Sequence, residues 1–245
     1  MTKDNIYDEH WASVYDRLSN LRGKAAESEE TAAFLEGYCT GGTALELGIG
    51  DGRVAVPLSK RGIRVEGVDN SDIMLRRLAT RSELVKAWKG DMANFRLEQC
   101  YNLVYCVYNT FPLLVTREAQ IACLRSAVQA LDYAGMLVIE LHVPTLDGFV
   151  NGRKTSTTFV DHENTILRAD VHEPLNQSLV SSVLWFSGSS VRRLPFRARY
   201  VYHQELDTMA ECVGLELAER WGDWVRGAFT EASTRHVSVY RRARR

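Results

Sequence analysis

The 245-residue sequence predicts a doubly wound α/β fold, in which a mainly parallel seven-stranded sheet carries an antiparallel β insertion after its fifth strand. Three observations lead to this prediction. Short apolar runs alternate with stretches of helical spacing between residues 43 and 139. A glycine-rich turn follows the first of these runs, and two-residue alternation takes over after Pro144.

The N-terminal segment over residues 7–35 is expected to form two helices separated by a break. Trp11 and Leu18 lie on one face of the first helix, and residues 21–24 interrupt the helical spacing. We therefore expect residues 1–38 to form a helical lid beside the core of the fold.

The central part of the chain, residues 39–150, is expected to form that core. Its apolar runs are short and bounded by turn residues, as in strands that are buried on both faces. These strands are expected at 44–47, 64–68, 85–88, 103–107 and 136–141. Helical spacing is seen between the strands at 53–61, 71–81 and 117–131. Strands that are joined by a helix in this way are expected to lie parallel in one sheet.

The segment 151–203 changes to two-residue alternation and is expected to be the antiparallel insertion. Leu167 and Val171 alternate with polar residues, as do the apolar residues of 179–185. The pattern predicts that the insertion buries these residues on one apolar face. Residues 204–245 are expected to close the fold with a helix and a strand pair. We expect the helix at 205–213 and the strands at 215–221 and 236–240.

The most informative segment is the loop E-L-G-I-G-D-G-R, residues 46–53, between the first predicted strand and the next helix. Gly48, Gly50 and Gly52 let the backbone turn sharply and approach a ligand with no Cβ in between. A dinucleotide fingerprint needs a small residue where Arg53 stands, and a P-loop needs a GK[ST] ending. The spacing therefore disfavours NAD and a P-loop. The alternative is a glycine-rich turn that binds no ligand.

Two acidic residues follow the next predicted strands. Asp69 ends the second strand, about twenty positions after the loop, where a carboxylate can accept both hydroxyl protons of a ribose. The alternative role of Asp69 is to cap the helix that begins at Ser71. Asp91, in the sequence Gly90-Asp91-Met92, could accept from an adenine amino group or belong to a surface turn.

These features together resemble the class I S-adenosylmethionine (SAM)-dependent methyltransferases, which have a Rossmann-like fold. The strand that ends V-Y-C-V-Y-N at residues 104–109 extends the likeness over most of the chain. The resemblance implies SAM as the cofactor and S-adenosylhomocysteine (SAH) as its product. It also implies a set of cofactor contacts: Gly48, Gly50 and Gly52 along the methionyl part, Glu46 near its amino group, Asp69 on the ribose, Asp91 and Met92 at the adenine, and Asn70, Met74 and Val107 in the same pocket.

The insertion and two N-terminal residues, Tyr15 and Arg22, resemble one branch of that family. This branch contains aminosugar N-methyltransferases and some natural-product peptide N-methyltransferases. By this likeness Tyr15 and Arg22 cover the carboxylate of the cofactor, which a guanidinium can bind through two oxygens at once. The alternative is that both residues lie on a packed or solvated helix. The branch implies an amine in a natural-product or aminosugar pathway as the acceptor.

Three polar residues near the ends of predicted strands are candidates for contact with the acceptor. Open parallel sheets bind ligands at the carboxyl ends of their strands, which indicates Asn109 after the fourth strand and Glu140 and His142 after the fifth. An amine must be neutral to attack, so His142 is the favoured general base. The alternative for each of the three is a capping or packing role.

Composition restricts the partners of the protein. Thirty basic and 31 acidic residues leave a net charge of −1, which gives no general attraction to nucleic acid. Five cysteines without a C-x-x-C pair suggest neither disulfides nor a zinc site, so we expect no metal. Because the sequence has no signal-peptide pattern and no apolar run near the length of a membrane span, we expect a cytoplasmic monomer or homodimer that acts on a small molecule.

Four other functions stay open from the sequence. One is a SAM-binding scaffold protein that has lost catalysis, since its binding residues would look the same. The others are methyl transfer to a peptide N-terminus, methyl transfer to nucleic acid, and aminopropyl transfer from the decarboxylated cofactor. The segment Y-N-T-F at residues 108–111 only faintly resembles the N-P-P-Y motif of nucleic-acid methyltransferases, because the double proline is missing.

Overall fold

The structure of the protein, a computed structural model, describes residues 24–39 and 42–244. The predicted first helix, with Tyr15 and Arg22, lies outside these residues. The described part of the chain forms five α-helices and two β-sheets. No helix in this part is long and apolar enough to cross a membrane.

The larger sheet has seven strands, and six of them run in the same direction. The strands are β1 (Thr43–Leu47), β2 (Arg64–Asp69), β3 (Lys86–Lys89), β4 (Tyr101–Cys106), β5 (Leu131–His142), β10 (Leu215–Trp221) and β11 (Arg235–Arg242). Their order is β10-β11-β5-β4-β1-β2-β3, and only β11 pairs antiparallel with its neighbours β5 and β10. This arrangement confirms the predicted doubly wound, mainly parallel fold.

Strand β5 is longer than the sequence predicted. It begins at Leu131 rather than at 136, directly after the preceding helix. Tyr101 of β4 pairs with Leu131, and the register then shifts so that Leu103 pairs with Met136. The polar residues between these two pairs form an irregular start to the strand, which lacks the apolar run that the prediction required.

Five helices cover the two faces of the larger sheet. They are α1 (Lys24–Glu36), α2 (Ala55–Lys60), α3 (Asp72–Arg81), α4 (Arg117–Ala130) and α5 (His203–Glu211). Helices α3 and α4 begin within one residue of the predicted positions because a hydroxyl caps each of them. Ser71 Oγ accepts from the Met74 N–H at 3.4 Å, and Thr116 Oγ1 accepts from the Ala119 N–H at 3.1 Å. Helix α2 begins two residues later than predicted, since Arg53 belongs to the turn of the glycine loop.

Apolar side chains fill both faces of the larger sheet. On one face, Leu45 and Val104 pack with residues of α4 and α5. On the other face, Val65 and Tyr105 pack with residues of α1, α2 and α3. A fully buried leucine such as Leu45 contributes about 1.5–3 kcal/mol to folding. The carboxyl ends of β1, β2 and β4 are therefore fixed by packing on both sides.

The smaller sheet is the antiparallel insertion that follows the fifth strand. It consists of β6 (Arg153–Val160), β7 (Asn164–Glu173), β8 (Ser178–Ser187) and β9 (Ser190–Arg199), in that order. The predicted apolar face was wrong for β7, because Val171 is 43% exposed whereas Ile166 is fully buried. The buried face of β7 also carries Arg168 and Asp170, paired at 2.8 Å. Because Arg168 and Asp170 neutralise each other, these two charged residues can lie on the same face as Ile166.

Arg199, at the end of β9, joins the insertion to the core. Its side chain is 7% exposed and its guanidinium donates to Gln120 Oε1 of α4 at 2.7 Å. It also donates to Gln177 Oε1 at 2.7 Å and to Glu205 Oε1 of α5 at 2.6 Å. A single buried arginine thus connects the insertion with two core helices.

Candidate active site

A cavity lies at the carboxyl ends of β1, β2 and β4, where the sequence predicted cofactor binding. Most of the predicted cofactor residues line it. They are Glu46, Gly48, Gly50, Asp69, Asn70, Met74, Asp91, Met92 and Val107. Gly52 packs against Leu78 of α3 instead. Tyr15 and Arg22 lie outside the described residues.

Two glycines of the loop are required by its geometry. Gly48 and Gly52 have positive φ angles of 74° and 78°, which other L-residues rarely adopt. A Cβ on Gly48 would lie 2.5 Å from Thr110 Cγ2, and one on Gly52 would lie 2.3 Å from Leu78 Cδ1. Gly48 therefore lets the loop approach the turn after β4, whereas Gly52 lets α3 pack against the loop.

Asp69, at the end of β2, holds the glycine loop in position. Its Oδ2 accepts from the Gly50 N–H at 2.7 Å, and its Oδ1 accepts from the Ser71 N–H at 2.8 Å. Burial raises the pKa of Asp69, and these backbone hydrogen bonds oppose that rise. The cap of α3 is Ser71 itself, and Asp69 stabilises the turn before it. Because each carboxylate oxygen can accept two hydrogen bonds, Asp69 retains acceptor capacity for a ribose.

Glu46 lies at the base of the cavity and is 4% exposed. The Tyr105 hydroxyl donates to Glu46 Oε2 at 3.0 Å. Burial raises the pKa of Glu46 well above its usual range, and the Tyr105 hydrogen bond opposes this effect. A nearby ammonium group would favour the ionised carboxylate, as expected for contact with an amino group.

Part of the cavity wall is apolar. Met74 and Val107 are buried, and Met92 is half-buried and packs against the core. Asp91 is exposed, and its Oδ1 accepts from the Ala93 N–H at 2.8 Å, so it stabilises its own turn while lining the cavity. These surroundings suit an aromatic base that has polar groups on one edge.

Two consecutive residues after β4, Tyr108 and Asn109, have left-handed backbone conformations with φ of 56°. Such conformations cost about 1–3 kcal/mol each and persist only where the surroundings support them. Here the Asn109 N–H donates to Glu140 Oε2 at 2.9 Å, and the His142 N–H donates to Asn109 Oδ1 at 3.0 Å. The Tyr108 hydroxyl lies 3.1 Å from Ser28 Oγ of α1.

The structure brings the three predicted acceptor-contact residues together beside this turn. The Glu140 side chain is fully buried, and one of its oxygens bonds the backbone of Asn109. His142 is 54% exposed at its side chain, and its Nε2 lies 3.8 Å from Glu140 Oε1. Of the three, His142 therefore presents the most accessible titratable group, whereas Glu140 and Asn109 hold the turn.

Sequence reasoning assigned no role to Arg53 and only a faint motif to Tyr108, yet both line the cavity. The Arg53 guanidinium lies 4.8 Å from the centroid of the Tyr108 ring, which is a cation–π contact. The position of Arg53, directly after the last loop glycine, was a usable signal. For Tyr108 the only signal was the faint Y-N-T-F motif, and nothing indicated its left-handed conformation, which bulky residues seldom adopt.

The residues of the cavity fit SAM. Glu46 and Arg53 provide opposite charges for the ammonium and carboxylate groups of a methionyl moiety, and the glycine loop leaves room beside them. Met92 and Val107 add apolar surface of the kind that an adenine ring packs against. Within residues 24–39 and 42–244, no group of three or more His, Cys, Asp or Glu side chains could hold a metal ion.

Known proteins resemble the chain over most of its length. Residues 44–135 match the model of a methyltransferase domain. The CcbJ methyltransferase from Streptomyces caelestis is 36% identical, with a TM-score of 0.92 over 99% of this chain and 100% of that structure. SAM-bound CalS10, an amino pentose methyltransferase from Micromonospora echinaspora involved in calicheamicin biosynthesis, has the same fold. It is 21% identical, with a TM-score of 0.73 over 94% of this chain and 97% of that one.

A curated relative is also a methyltransferase. The cypemycin N-terminal methyltransferase from a Streptomyces species is 24% identical over 99% of this chain and 100% of its own length. The likeness to CcbJ extends from the domain to the insertion, since it covers 99% of the chain. The chain therefore belongs to the class I SAM-dependent methyltransferases, and SAM is its cofactor.

Proposed function

We propose that this enzyme transfers the methyl group of SAM to an amine of a small natural product or aminosugar. The observation that carries the proposal is the accessible imidazole of His142 beside buried Glu140, at the sheet edge that also holds the cofactor cavity. Amine acceptors are also named for relatives of the chain, an amino pentose for CalS10 and a peptide N-terminus for the cypemycin enzyme.

The cofactor contacts belong to the same proposal. Glu46 and Arg53 hold the two charged groups of the methionyl part, and the glycine loop at Gly48 and Gly50 leaves space for it. Asp69 accepts from the ribose. The remaining contacts are Asn70, Met74, Asp91, Met92 and Val107 around the adenosine, while Gly52 supports the loop by packing against Leu78. The family resemblance would add Tyr15 and Arg22 over the carboxylate.

SAM supplies an electrophilic methyl group, and the protein contributes alignment, exclusion of water and a proton acceptor. The acceptor nitrogen attacks with its free electron pair, so the C–N bond forms as the C–S bond breaks. The nitrogen then carries a positive charge and releases one proton. We assign this proton to the imidazole of His142, whose side chain is 54% exposed, because the Glu140 carboxylate at 3.8 Å favours the imidazolium.

We propose that the four-stranded insertion covers the bound acceptor. It leaves the core after His142 and returns at Arg199, so both of its ends lie close to the edge of the sheet. Strand β9 packs against the short 3-10 helix Phe111–Leu113, and Leu113 lines the cofactor cavity. A cover in this position contacts the acceptor more than the cofactor, and it would set acceptor choice.

The test is a transfer assay with purified protein, SAM and three amines: a nucleotide-linked aminosugar, an amine-bearing natural product and a peptide with a free N-terminus. Each amine is paired with its N-acetylated form as a control. We expect a product heavier by one methylene group from at least one free amine and none from the acetylated controls. Binding of SAH without transfer to any amine would contradict the proposal and favour a scaffold role.

A further inference from the structure

An ion cluster outside the cofactor cavity joins α1, β5 and β11. Arg235 begins β11 and lies opposite His142 of β5. Its Nη1 donates to Glu27 Oε1 of α1 and lies 3.8 Å from Glu140 Oε1. The ion cluster consists of Glu27, Arg235 and Glu140. It connects residues that are 208 positions apart in the sequence.

The ion cluster places two carboxylates around one guanidinium in partly desolvated surroundings. The side chains of Glu27, Arg235 and Glu140 are 19%, 27% and 0% exposed. Burial alone would lower the pKa of Arg235, but the hydrogen bond with Glu27 and the charge of Glu140 raise it. Removal of the guanidinium would leave two like charges near each other without this cation, an arrangement that folded proteins tolerate poorly.

Glu140 and Glu27 are both connected to the turn at Tyr108 and Asn109, Glu140 by a hydrogen bond and Glu27 through its neighbour Ser28. Glu140 Oε2 accepts from the Asn109 N–H at 2.9 Å. Ser28, which follows Glu27 on α1, lies 3.1 Å from the Tyr108 hydroxyl through its Oγ. Since Tyr108 and Asn109 both have φ of 56°, the turn depends on these supports.

We propose that Arg235 is a positioning residue for cofactor binding. By neutralising Glu27 and Glu140, it keeps α1 docked and the left-handed turn in place, and so holds Tyr108 in the wall of the cavity. Arg235 is not one of the described residues that line the cavity, so its effect passes through the turn. The inference rests on the proposed cofactor contacts and is independent of the acceptor.

The test compares Arg235→Met with Arg241→Met by calorimetric titration of SAH. Arg241 is the matched control because it also lies on β11 and pairs with a glutamate, Glu216 Oε1 at 2.7 Å, away from the cavity. We expect Arg235→Met to weaken SAH binding about tenfold and Arg241→Met to change it less than about twofold. Hydrogen exchange of the segment 107–113 should also become faster in Arg235→Met only. Unchanged SAH affinity in Arg235→Met would overturn the proposal.

A second substitution separates electrostatic positioning from simple packing. In Arg235→Met/Glu140→Gln, the Gln amide oxygen can still accept from the Asn109 N–H, and position 140 no longer carries a charge. We expect this double variant to bind SAH within about threefold of the unchanged chain. If Arg235→Met does not fold, this double variant and Arg235→Lys carry the test. A double variant as weak as Arg235→Met would mean that Arg235 acts by packing alone.

These outcomes are separate from those of the acceptor assay. If the unchanged chain methylates an amine and Arg235→Met binds SAH normally, the proposed function stands and the role of Arg235 falls. If no amine is methylated and Arg235→Met shows the expected loss of SAH affinity, the positioning role stands and the proposed acceptor falls.

Discussion

The two sheets of the molecule are stabilised in different ways. The seven-stranded sheet has apolar clusters on both faces, and its strand ends carry the glycine loop and Asp69. The four-stranded insertion buries a small apolar set, Ile166, Val183, Trp185 and Leu194. It depends on buried polar contacts and on the hydrogen bonds of Arg199 to Gln120 and Glu205 of the core helices. The proposed cofactor site therefore lies on a sheet that is packed on both faces, and we expect the sequence of the insertion to vary with less effect on that site.

We expect the largest difference in SAH affinity between Gly48→Ala, in the loop after β1, and Gly188→Ala, in the turn between β8 and β9. Both glycines have positive φ, but a Cβ on Gly48 would meet Thr110 Cγ2 at 2.5 Å, whereas one on Gly188 meets nothing within 4 Å. Strain alone should lower the free energy of unfolding by about 1 kcal/mol in Gly188→Ala. In Gly48→Ala we expect SAH affinity to fall at least about 100-fold. Calorimetry of both variants checks this, and equal SAH affinities would contradict the account of the loop.

Asp69→Ala should produce the next largest loss of cofactor affinity. The substitution removes the acceptor of the Gly50 and Ser71 N–H groups and the proposed ribose contact. We expect SAH binding to weaken by about 1.5–3 kcal/mol, with the protein still folded. Asp72→Ala is the matched control, since Asp72 is half-exposed on α3 and pairs with Lys89. An affinity in Asp69→Ala equal to that of Asp72→Ala would rule out the ribose role.

Arg199→Met should change stability but not cofactor binding. It removes a buried guanidinium that donates to Gln120, Gln177 and Glu205. We expect the free energy of unfolding to fall by about 2–4 kcal/mol, while the folded protein binds SAH within about twofold of the unchanged chain. Denaturant titration and calorimetry measure the two quantities. A parallel loss of SAH affinity would show that the insertion supports the cofactor site directly.

His142→Ala should have the smallest effect on cofactor affinity. The side chain is 54% exposed, and the hydrogen bond to Asn109 comes from the backbone of His142, which the substitution retains. We expect SAH affinity to change by less than about 0.5 kcal/mol and kcat for an amine acceptor to fall about tenfold or more. Activity should return in part with an added small base such as imidazole. Normal kcat would remove His142 from the proton transfer.

The residues predicted to bind the cofactor could be recognised in the sequence because their signal depends on local backbone geometry. Glycines at alternating positions and an acid at a strand end leave a local signal, and the structure places Gly48 and Asp69 at one cavity. The mainly parallel character of the larger sheet also followed from the local alternation of strands and helices. Signals of this kind depend only on neighbours in the chain.

The features that the sequence did not predict depend on distant partners. The inward face of β7 was assigned wrongly because Arg168 and Asp170 satisfy each other within the insertion. The left-handed turn at Tyr108 has no glycine to mark it, and it is supported by Glu140 from another strand. Arg235 finds Glu27 only in the folded chain, so no periodicity along the sequence could have paired them.

The most direct test of the division between the two sheets is an exchange of the insertion, residues 153–199, for that of a related methyltransferase with a different amine acceptor. The chimera is assayed for SAH affinity and for the ratio of kcat/KM between the two acceptors, after thermal unfolding with SAH shows that it is folded. We expect SAH affinity within about twofold of the unchanged chain and an acceptor ratio shifted at least about tenfold toward the acceptor of the methyltransferase that supplied the insertion. An unchanged acceptor ratio together with weakened SAH binding would contradict this division.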